Sequence, residues 1–155
     1  MTYSVTDRLT DGVLWRRVTA WLIDVVLIGL IMSALWMGFM AFGLLTLGLS
    51  LPLLGLLPLV PFAYHALFIA GSSCATPGQG VMGLTVREVD TLARPTLVQA
   101  VVFTVGLWIT LGAGVVWLAA ALFLPQKRAI HDLVSGLVVV RSQALTHASA
   151  FGTIA

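Results

Sequence analysis

The sequence predicts an all-α polytopic membrane protein with two full transmembrane helices, a third long or re-entrant helical region and a small interfacial loop or hairpin. Three observations predict this fold class. Of the 155 residues, 59% are hydrophobic and 9% are charged, whereas soluble domains have roughly 25% charged residues. The mean hydropathy is +1.05. Residues 25–86 and 95–126 contain no Asp, Glu, Lys or Arg, and about 20 apolar residues are enough to cross the hydrocarbon core.

The first helix is predicted for residues 15–41. It begins at Trp15, an aromatic residue that suits the headgroup level of a bilayer, and we expect residues 1–14 to lie at the cytoplasmic surface. Asp7 and Asp11 do not fit the basic start of a signal peptide, and the apolar run is longer than such peptides have. We therefore expect this helix to remain in the mature protein.

The second helix is predicted for residues 51–70, after a short turn at the far interface that is rich in glycine. It contains Pro52, Pro58 and Pro61, and each proline removes a backbone donor and favours a kink. In a bilayer the freed carbonyl groups must be satisfied within the protein. The segment is therefore either a kinked packing helix or a broken helix that lines a polar cavity.

The long polar segment between the apolar regions is residues 71–95. Within it, LTVREVD alternates apolar and polar residues, which is the period of a half-exposed strand. The following DTLARP can turn the chain back. We expect a loop or a small hairpin at the cytoplasmic interface.

The third apolar region, residues 96–124, would measure about 43 Å as one helix, which is longer than the ~30 Å hydrocarbon core. It either tilts steeply or turns back at the two glycines of residues 111–114. The arginines of the N-terminus, of the middle loop and of residues 127–141 all indicate cytoplasmic segments, which favours the turn over a single crossing. One membrane domain, residues 1–141, is then followed by a flexible tail, residues 142–155.

Asp24 is an ionisable residue inside the first apolar helix, where insertion of an aspartate costs about 2.5–3.5 kcal/mol. Such a residue is a functional candidate or one half of a buried pair. Arg17 lies seven residues earlier, on the same helix face and about 10.5 Å away along the axis. Ala20 lies between them and allows another helix or water to approach. At this separation we expect Arg17 and Asp24 to have separate partners, and Arg17 can also extend to the headgroups.

Two segments, WRRVTAWLID and KRAIHDLVSGLVVVR, together resemble the RDD family of bacterial membrane proteins, which is named for one arginine and two aspartates. In the spacing RxxAxxxD, the family's arginine and first aspartate correspond to Arg17 and Asp24. The second aspartate corresponds to Asp132, within an RxxHD run that also contains Arg128 and His131. The resemblance covers about residues 15–141.

A third segment, TPGQGVMGLTV, resembles the part of the family that follows the second helix. Its matching positions are Thr76, Gly78 and Gln79, although Gln79 stands where many members have lysine. This departure weakens the transfer of any function that needs a cation there. The resemblance implies a functional charged set, Arg17, Asp24 and Asp132, with the other motif residues in support.

The resemblance implies a multi-pass protein of the bacterial cytoplasmic (inner) membrane, and transport of ions or small ligands is the usual suggestion for the family. One hypothesis is cation/proton exchange, in which Asp24 binds the proton or cation and Asp132 and His131 lie near the cytoplasmic entrance. So small a chain would need a homo-oligomer or a larger complex for transport. The alternative is a non-catalytic accessory or assembly subunit of a larger membrane complex, in which the charged set is an internal clasp.

Other functions lack the residues that they need. Hydrolase and nucleotide-binding motifs are missing, so we expect no enzyme and no cofactor. The single cysteine, Cys74, excludes an internal disulfide and a cysteine-based metal cluster. His65 has no second ligand at helical spacing, which indicates a hydrogen-bonded core histidine rather than a metal ligand. The net charge of +2 comes from arginines beside apolar runs, so the expected partner is the lipid bilayer and not nucleic acid.

Overall fold

The computed structural model describes residues 12–112 and 130–150, and the chain is mostly helical. In chain order the elements are α1 (Val13–Leu45), a 3₁₀-helix (Leu51–Leu56), α2 (Leu59–Ala70), α3 (Pro77–Val81), β1 (Leu84–Glu88), α4 (Leu97–Gly112), α5 (Ile130–Ser135), β2 (Leu137–Arg141) and α6 (Ser142–Ala150). The expected helical character is confirmed, with a two-stranded sheet added to it.

Helix α1 is the one helix in the described ranges that is long and apolar enough to cross a membrane by length and composition. It has 33 residues, and no residue of its most apolar 18-residue stretch is buried by the rest of the chain. It extends a few residues beyond both ends of the predicted helix. Helices α2 and α4 are apolar but shorter.

The turn after α1 is closed by polar side chains rather than by charges. The Ser50 hydroxyl is buried and donates to the Phe39 carbonyl at 3.3 Å. The Thr46 hydroxyl donates to the Phe42 carbonyl at 2.8 Å. Leu47 is 97% exposed and has a φ of 51°, which is an unfavourable conformation for a side chain of this size.

The predicted second helix is not continuous, because the 3₁₀-helix and α2 replace it. Pro52 is the second residue of the 3₁₀-helix, and Pro58 is the N-cap of α2. Proline has no N–H for an intrahelical hydrogen bond, so the prolines divide this segment into two helices. The kink expected from the sequence is therefore a break between residues 56 and 59.

The strand predicted from LTVREVD is present as β1. Of the expected loop or small hairpin, the structure has the loop, in which the Glu88 N–H donates to the Ala93 carbonyl at 3.1 Å. Strand β1 pairs antiparallel with β2, from Leu84 opposite Arg141 to Glu88 opposite Leu137. Because the partner lies more than 45 residues further along the chain, the sheet joins the middle of the sequence to its end. No local hairpin forms at this point.

Both faces of the sheet are covered. One face packs on α1, α2 and α4 through a core of Val13, Ala20, Ile69, Leu84, Val86, Ala100, Phe103, Leu137 and Val139. On the other face, Val138 and Val140 pack with Val89, Leu92 and Ala144. The sheet thus gathers the start of α1 and the later helices at one end of the molecule, which we call the sheet end.

Helix α4, the described part of the third apolar region, begins at the sheet end because it follows β1, and α5 lies there because it precedes β2. Helix α5 packs against α4. The predicted turn at residues 111–114 falls at the boundary of the described residues: α4 ends at Gly112, and residues 113–129 lie outside them. The predicted tail is helical over its first part, as α6, where Ala144 packs under the sheet.

Candidate functional site

The candidate site lies at the sheet end, along the buried face of α1. This face carries Val13, Ala20 and Asp24, which are all buried. Arg17 lies on the same stripe and is partly buried, because residues three, four and seven apart share one face of a helix. The segments that cover this face come from α2, from α3 and from α5.

Asp24 is 3% exposed and accepts three hydrogen bonds. The Tyr64 hydroxyl donates to Oδ1 at 2.7 Å, and the Thr76 hydroxyl donates to Oδ2 at 2.6 Å. The backbone N–H of Gly78 donates to Oδ1 at 2.8 Å. All three donors are neutral. Within the described residues, no basic side chain lies within ion-pairing distance of Asp24.

Thr76 and Gln79 form a capping box at the start of α3. The Gln79 backbone N–H donates to the Thr76 hydroxyl oxygen at 3.3 Å, and the Thr76 N–H donates to Gln79 Oε1 at 3.0 Å. Pro77 follows at the first helical position, where its missing N–H costs nothing. Gln79 therefore satisfies backbone groups of its own helix. The Thr76 hydroxyl, which accepts one hydrogen bond, is left able to donate to Asp24.

Gly78 allows α3 to touch α1 backbone to backbone. A Cβ atom at this position would lie 2.2 Å from the Ala20 carbonyl oxygen and 2.8 Å from Asp24 Oδ1. Such distances are far inside van der Waals contact, so no larger residue fits without a shift. The small residue Ala20 gives the opposing side of the contact. The approach that Ala20 was expected to allow is made by α3.

Arg17 forms an ion pair with Asp132. One guanidinium nitrogen, Nη2, donates to Asp132 Oδ2, and the aspartate is fully buried while Arg17 is 17% exposed. Asp132 lies in the first turn of α5. The separate partners expected for Arg17 and Asp24 are thus present, one from the last part of the chain and one from its middle.

The supporting residues divide into two groups. Thr76, Gly78 and Gln79 all lie at Asp24, either directly or through the capping box. Arg128 lies outside the described residues, and so does the side chain of His131, whose backbone belongs to α5. The expected place of these two residues near Asp132 therefore stays a prediction.

Two residues at the site were not predicted from the sequence. A tyrosine hydroxyl needs a hydrogen-bond partner when its ring is buried. The tyrosine at position 64, within an apolar helix, was therefore the sequence feature that could have indicated this contact. Arg16 donates from Nη1 to the Met82 carbonyl at 2.8 Å, and it was considered only as a topology signal. The capping pattern Thr-Pro-Gly-Gln was also visible in the sequence.

His65 and Cys74 are both buried and lie outside this hydrogen-bonded set. His65 Nδ1 donates to the Pro61 carbonyl at 2.9 Å, one turn earlier in α2. This is the hydrogen-bonded core histidine that the sequence indicates. The Cys74 thiol lies 3.4 Å from the Gly71 carbonyl oxygen, within the connection between α2 and α3.

Comparison with known proteins gives one family. The family model described as RDD family matches residues 12–136, which is most of the chain and includes every residue of the site described above. No curated protein and no solved structure matches.

Proposed function

The chain belongs to the RDD family, and we propose that it is a multi-pass protein of the bacterial inner membrane that exchanges a cation for a proton at Asp24. The observation that carries the proposal is the setting of this carboxylate. Asp24 is buried and is held by three neutral donors, whereas the second aspartate is held by an arginine.

A membrane location is supported by the surface of α1. Large apolar side chains are exposed along its length, for example Leu30 at 64% and Met37 at 66%. The charge-free part after Asp24, residues 25–45, would measure about 31 Å, close to the ~30 Å thickness of the hydrocarbon core. In this placement Asp24 lies at the inner boundary of the hydrocarbon core, and Arg17 reaches the headgroup layer.

The orientation is supported by the arginines at the sheet end. The N-terminal part of α1, strand β1 with its following loop, and strand β2 contribute Arg16, Arg17, Arg87, Arg94 and Arg141. Arginine is enriched on the cytoplasmic side of membrane proteins, so we place the sheet end and the N-terminus in the cytoplasm. Helices α4 and α5 both lie at the sheet end, which supports a re-entrant hairpin or a pair of short crossings between them.

The chemistry of exchange follows from the oxygen atoms around Asp24. The Asp24 carboxylate is buried, and its three hydrogen-bond donors carry no charge. Either a proton or a cation can neutralise this buried charge. The hydroxyl groups of Tyr64 and Thr76 can rotate and present their oxygen lone pairs, and hard cations prefer carboxylate and other oxygen ligands. Uptake of a proton by Asp24 would then release the cation. Such a cycle requires a homo-oligomer or a partner, since one chain has few membrane-crossing segments.

The test is cation-driven proton movement in vesicles that contain the purified protein and a pH-sensitive dye inside. We expect Na⁺, K⁺ or Li⁺ gradients to move protons with the wild type, and Asp24→Asn to abolish the movement. Asp90→Asn is the matched control, because Asp90 is exposed in the loop after β1. If wild-type vesicles show no proton movement with any of these ions, the exchange proposal fails.

An accessory or assembly role is the second candidate. It is favoured by the open sides of the long helix, where a Cβ at Gly29 or Gly38 would meet no atom within 4 Å. Small residues allow helices to approach closely in membranes. In this role the two polar contacts of α1 only hold the fold. Loss of a co-purifying complex in Asp24→Asn, with no proton movement in the wild type, would favour this candidate.

A further inference from the structure

Two arginines that contact neither Asp24 nor Asp132, Arg16 and Arg141, lie beside the turn between α3 and β1. Arg16 Nη1 is 2.8 Å from the Met82 carbonyl oxygen and 3.9 Å from where a Cβ of Gly83 would be. Ser142, which directly follows Arg141, donates its backbone N–H to the Gly83 carbonyl at 2.9 Å. The same short turn therefore contacts Arg16 on one side and the end of β2 on the other.

The side chains of both arginines emerge on the same side of the sheet. Alternate residues of a strand point to one face, so Arg141 lies on the same face as Val139. Val139 packs in the core that includes Val13, at the start of α1. Arg16 follows Val13 by three residues, and it is hydrogen-bonded to the turn that precedes β1. Arg16 and Arg141 therefore flank the same turn, on one side of the sheet.

Neither guanidinium has a carboxylate to balance it within the described ranges. The ion pair found there joins Arg17 to Asp132, and no acidic side chain of residues 12–112 or 130–150 lies within ion-pairing distance of Arg16 or Arg141. Both arginines are only partly buried, so an external anion can reach them. Guanidinium groups bind phosphate oxygens through paired N–H donors, with better geometry than lysine offers.

Trp15, the residue before Arg16, indicates which kind of anion is available at this position. Trp15 is 75% exposed beside Arg16, and tryptophan is enriched at the membrane–water interface. Anionic phospholipids of the cytoplasmic leaflet place their phosphate groups at this level. We propose that Arg16 and Arg141 bind the phosphate of one anionic phospholipid, such as phosphatidylglycerol. The proposal depends on the membrane location given above and is independent of cation exchange.

The test is lipid binding to the full chain in a neutral detergent, measured by native mass spectrometry during titration with phosphatidylglycerol or phosphatidylcholine. We expect the protein to prefer phosphatidylglycerol. Arg141→Gln should weaken this lipid about fivefold, since a basic residue near anionic lipid contributes about 1 kcal/mol. Arg16→Gln with Arg141→Gln should weaken it about 25-fold. Binding of phosphatidylcholine should not change in either variant.

Arg94→Gln is the matched control, because it removes the same charge from an exposed position near the opposite end of β1. It should leave phosphatidylglycerol binding within about twofold of the wild type. The proposal is overturned if Arg141→Gln binds this lipid normally, or if Arg94→Gln weakens it equally. The proposal is also overturned if inorganic phosphate binds the protein as tightly as phosphatidylglycerol does, because that result would indicate a general anion site. Failure of the wild type to insert into neutral vesicles would refute the membrane location instead.

Discussion

Gly78→Ala tests the contact between α3 and α1 more sharply than any other single change. The added Cβ would lie 2.2 Å from the Ala20 carbonyl oxygen and 2.8 Å from Asp24 Oδ1, whereas carbon–oxygen contacts are ordinarily at least about 3.3 Å. Helix α3 must therefore move away from α1 by about 1 Å. The hydrogen bonds to Asp24 from the Gly78 N–H and the Thr76 hydroxyl, now 2.8 and 2.6 Å, would then exceed bonding distance.

Each hydrogen bond to a charged group contributes about 1.5–3 kcal/mol, so the loss of two predicts a local destabilisation of about 3–6 kcal/mol. The buried thiol of Cys74, the single cysteine of the chain, is a reporter in the adjoining connection. Maleimide should label Cys74 at least about a hundredfold faster in Gly78→Ala than in the wild type, since each 1.4 kcal/mol changes an equilibrium about tenfold.

Gly80→Ala is the control for this measurement, because it lies two residues away in the same helix and its Cβ would meet no atom within 4 Å. It should label at the wild-type rate or slightly more slowly, as alanine favours helix by about 1 kcal/mol over glycine. Equal labelling rates in Gly78→Ala and Gly80→Ala would refute the close packing of α3 on α1.

Substitutions at three further positions are tested through the free energy of unfolding in detergent. Tyr64→Phe keeps the ring but removes the donor to Asp24, so we expect a loss of about 1.5–3 kcal/mol; a change below about 0.5 kcal/mol would show that this hydrogen bond contributes little. Thr76→Val removes both the cap and the bond to Asp24 and should cost about 2–4 kcal/mol, while Thr76→Ser, which keeps the hydroxyl, should cost less than about 1 kcal/mol. Leu47→Gly should stabilise by about 0.5–1 kcal/mol, because it relieves the positive φ of an exposed leucine; destabilisation would show that this φ costs the folded state little.

The sequence alone identified the face of α1 that matters, because that conclusion needs only the helical period. Arg17, Ala20 and Asp24 fall on one stripe, and their separation excluded a direct contact between the two charges. The residues that contact this stripe were harder to predict from the sequence. Tyr64 lies 40 residues from Asp24, and hydrogen bonds over such a separation depend on the tertiary fold rather than on any local pattern.

The sheet shows the same division between local and distant information. Strand β1 was predicted because its alternation marks a strand with one covered face. Strand β2, Leu137–Arg141, carries a continuous apolar run, because both of its faces are covered. Such a run has no period that distinguishes strand from helix. Without β2, the sequence offered only a local partner for β1, and for that reason a small hairpin stayed open as the alternative to the loop that the structure has.

The most direct test of this account is a double-mutant cycle on Arg17 and Asp132, since their ion pair joins the start of α1 to α5. Arg17→Gln removes the guanidinium that pairs with the buried Asp132 carboxylate, so we expect a cost of about 3–5 kcal/mol, and Asp132→Asn should also destabilise. The double variant should cost no more than the worse single change, which gives a coupling energy of about 2–3 kcal/mol. If the cost of the double variant equals the sum of the two single costs within about 0.5 kcal/mol, the contact between Arg17 and Asp132 is contradicted. The packing of α5 against the start of α1 at the sheet end would then be contradicted as well.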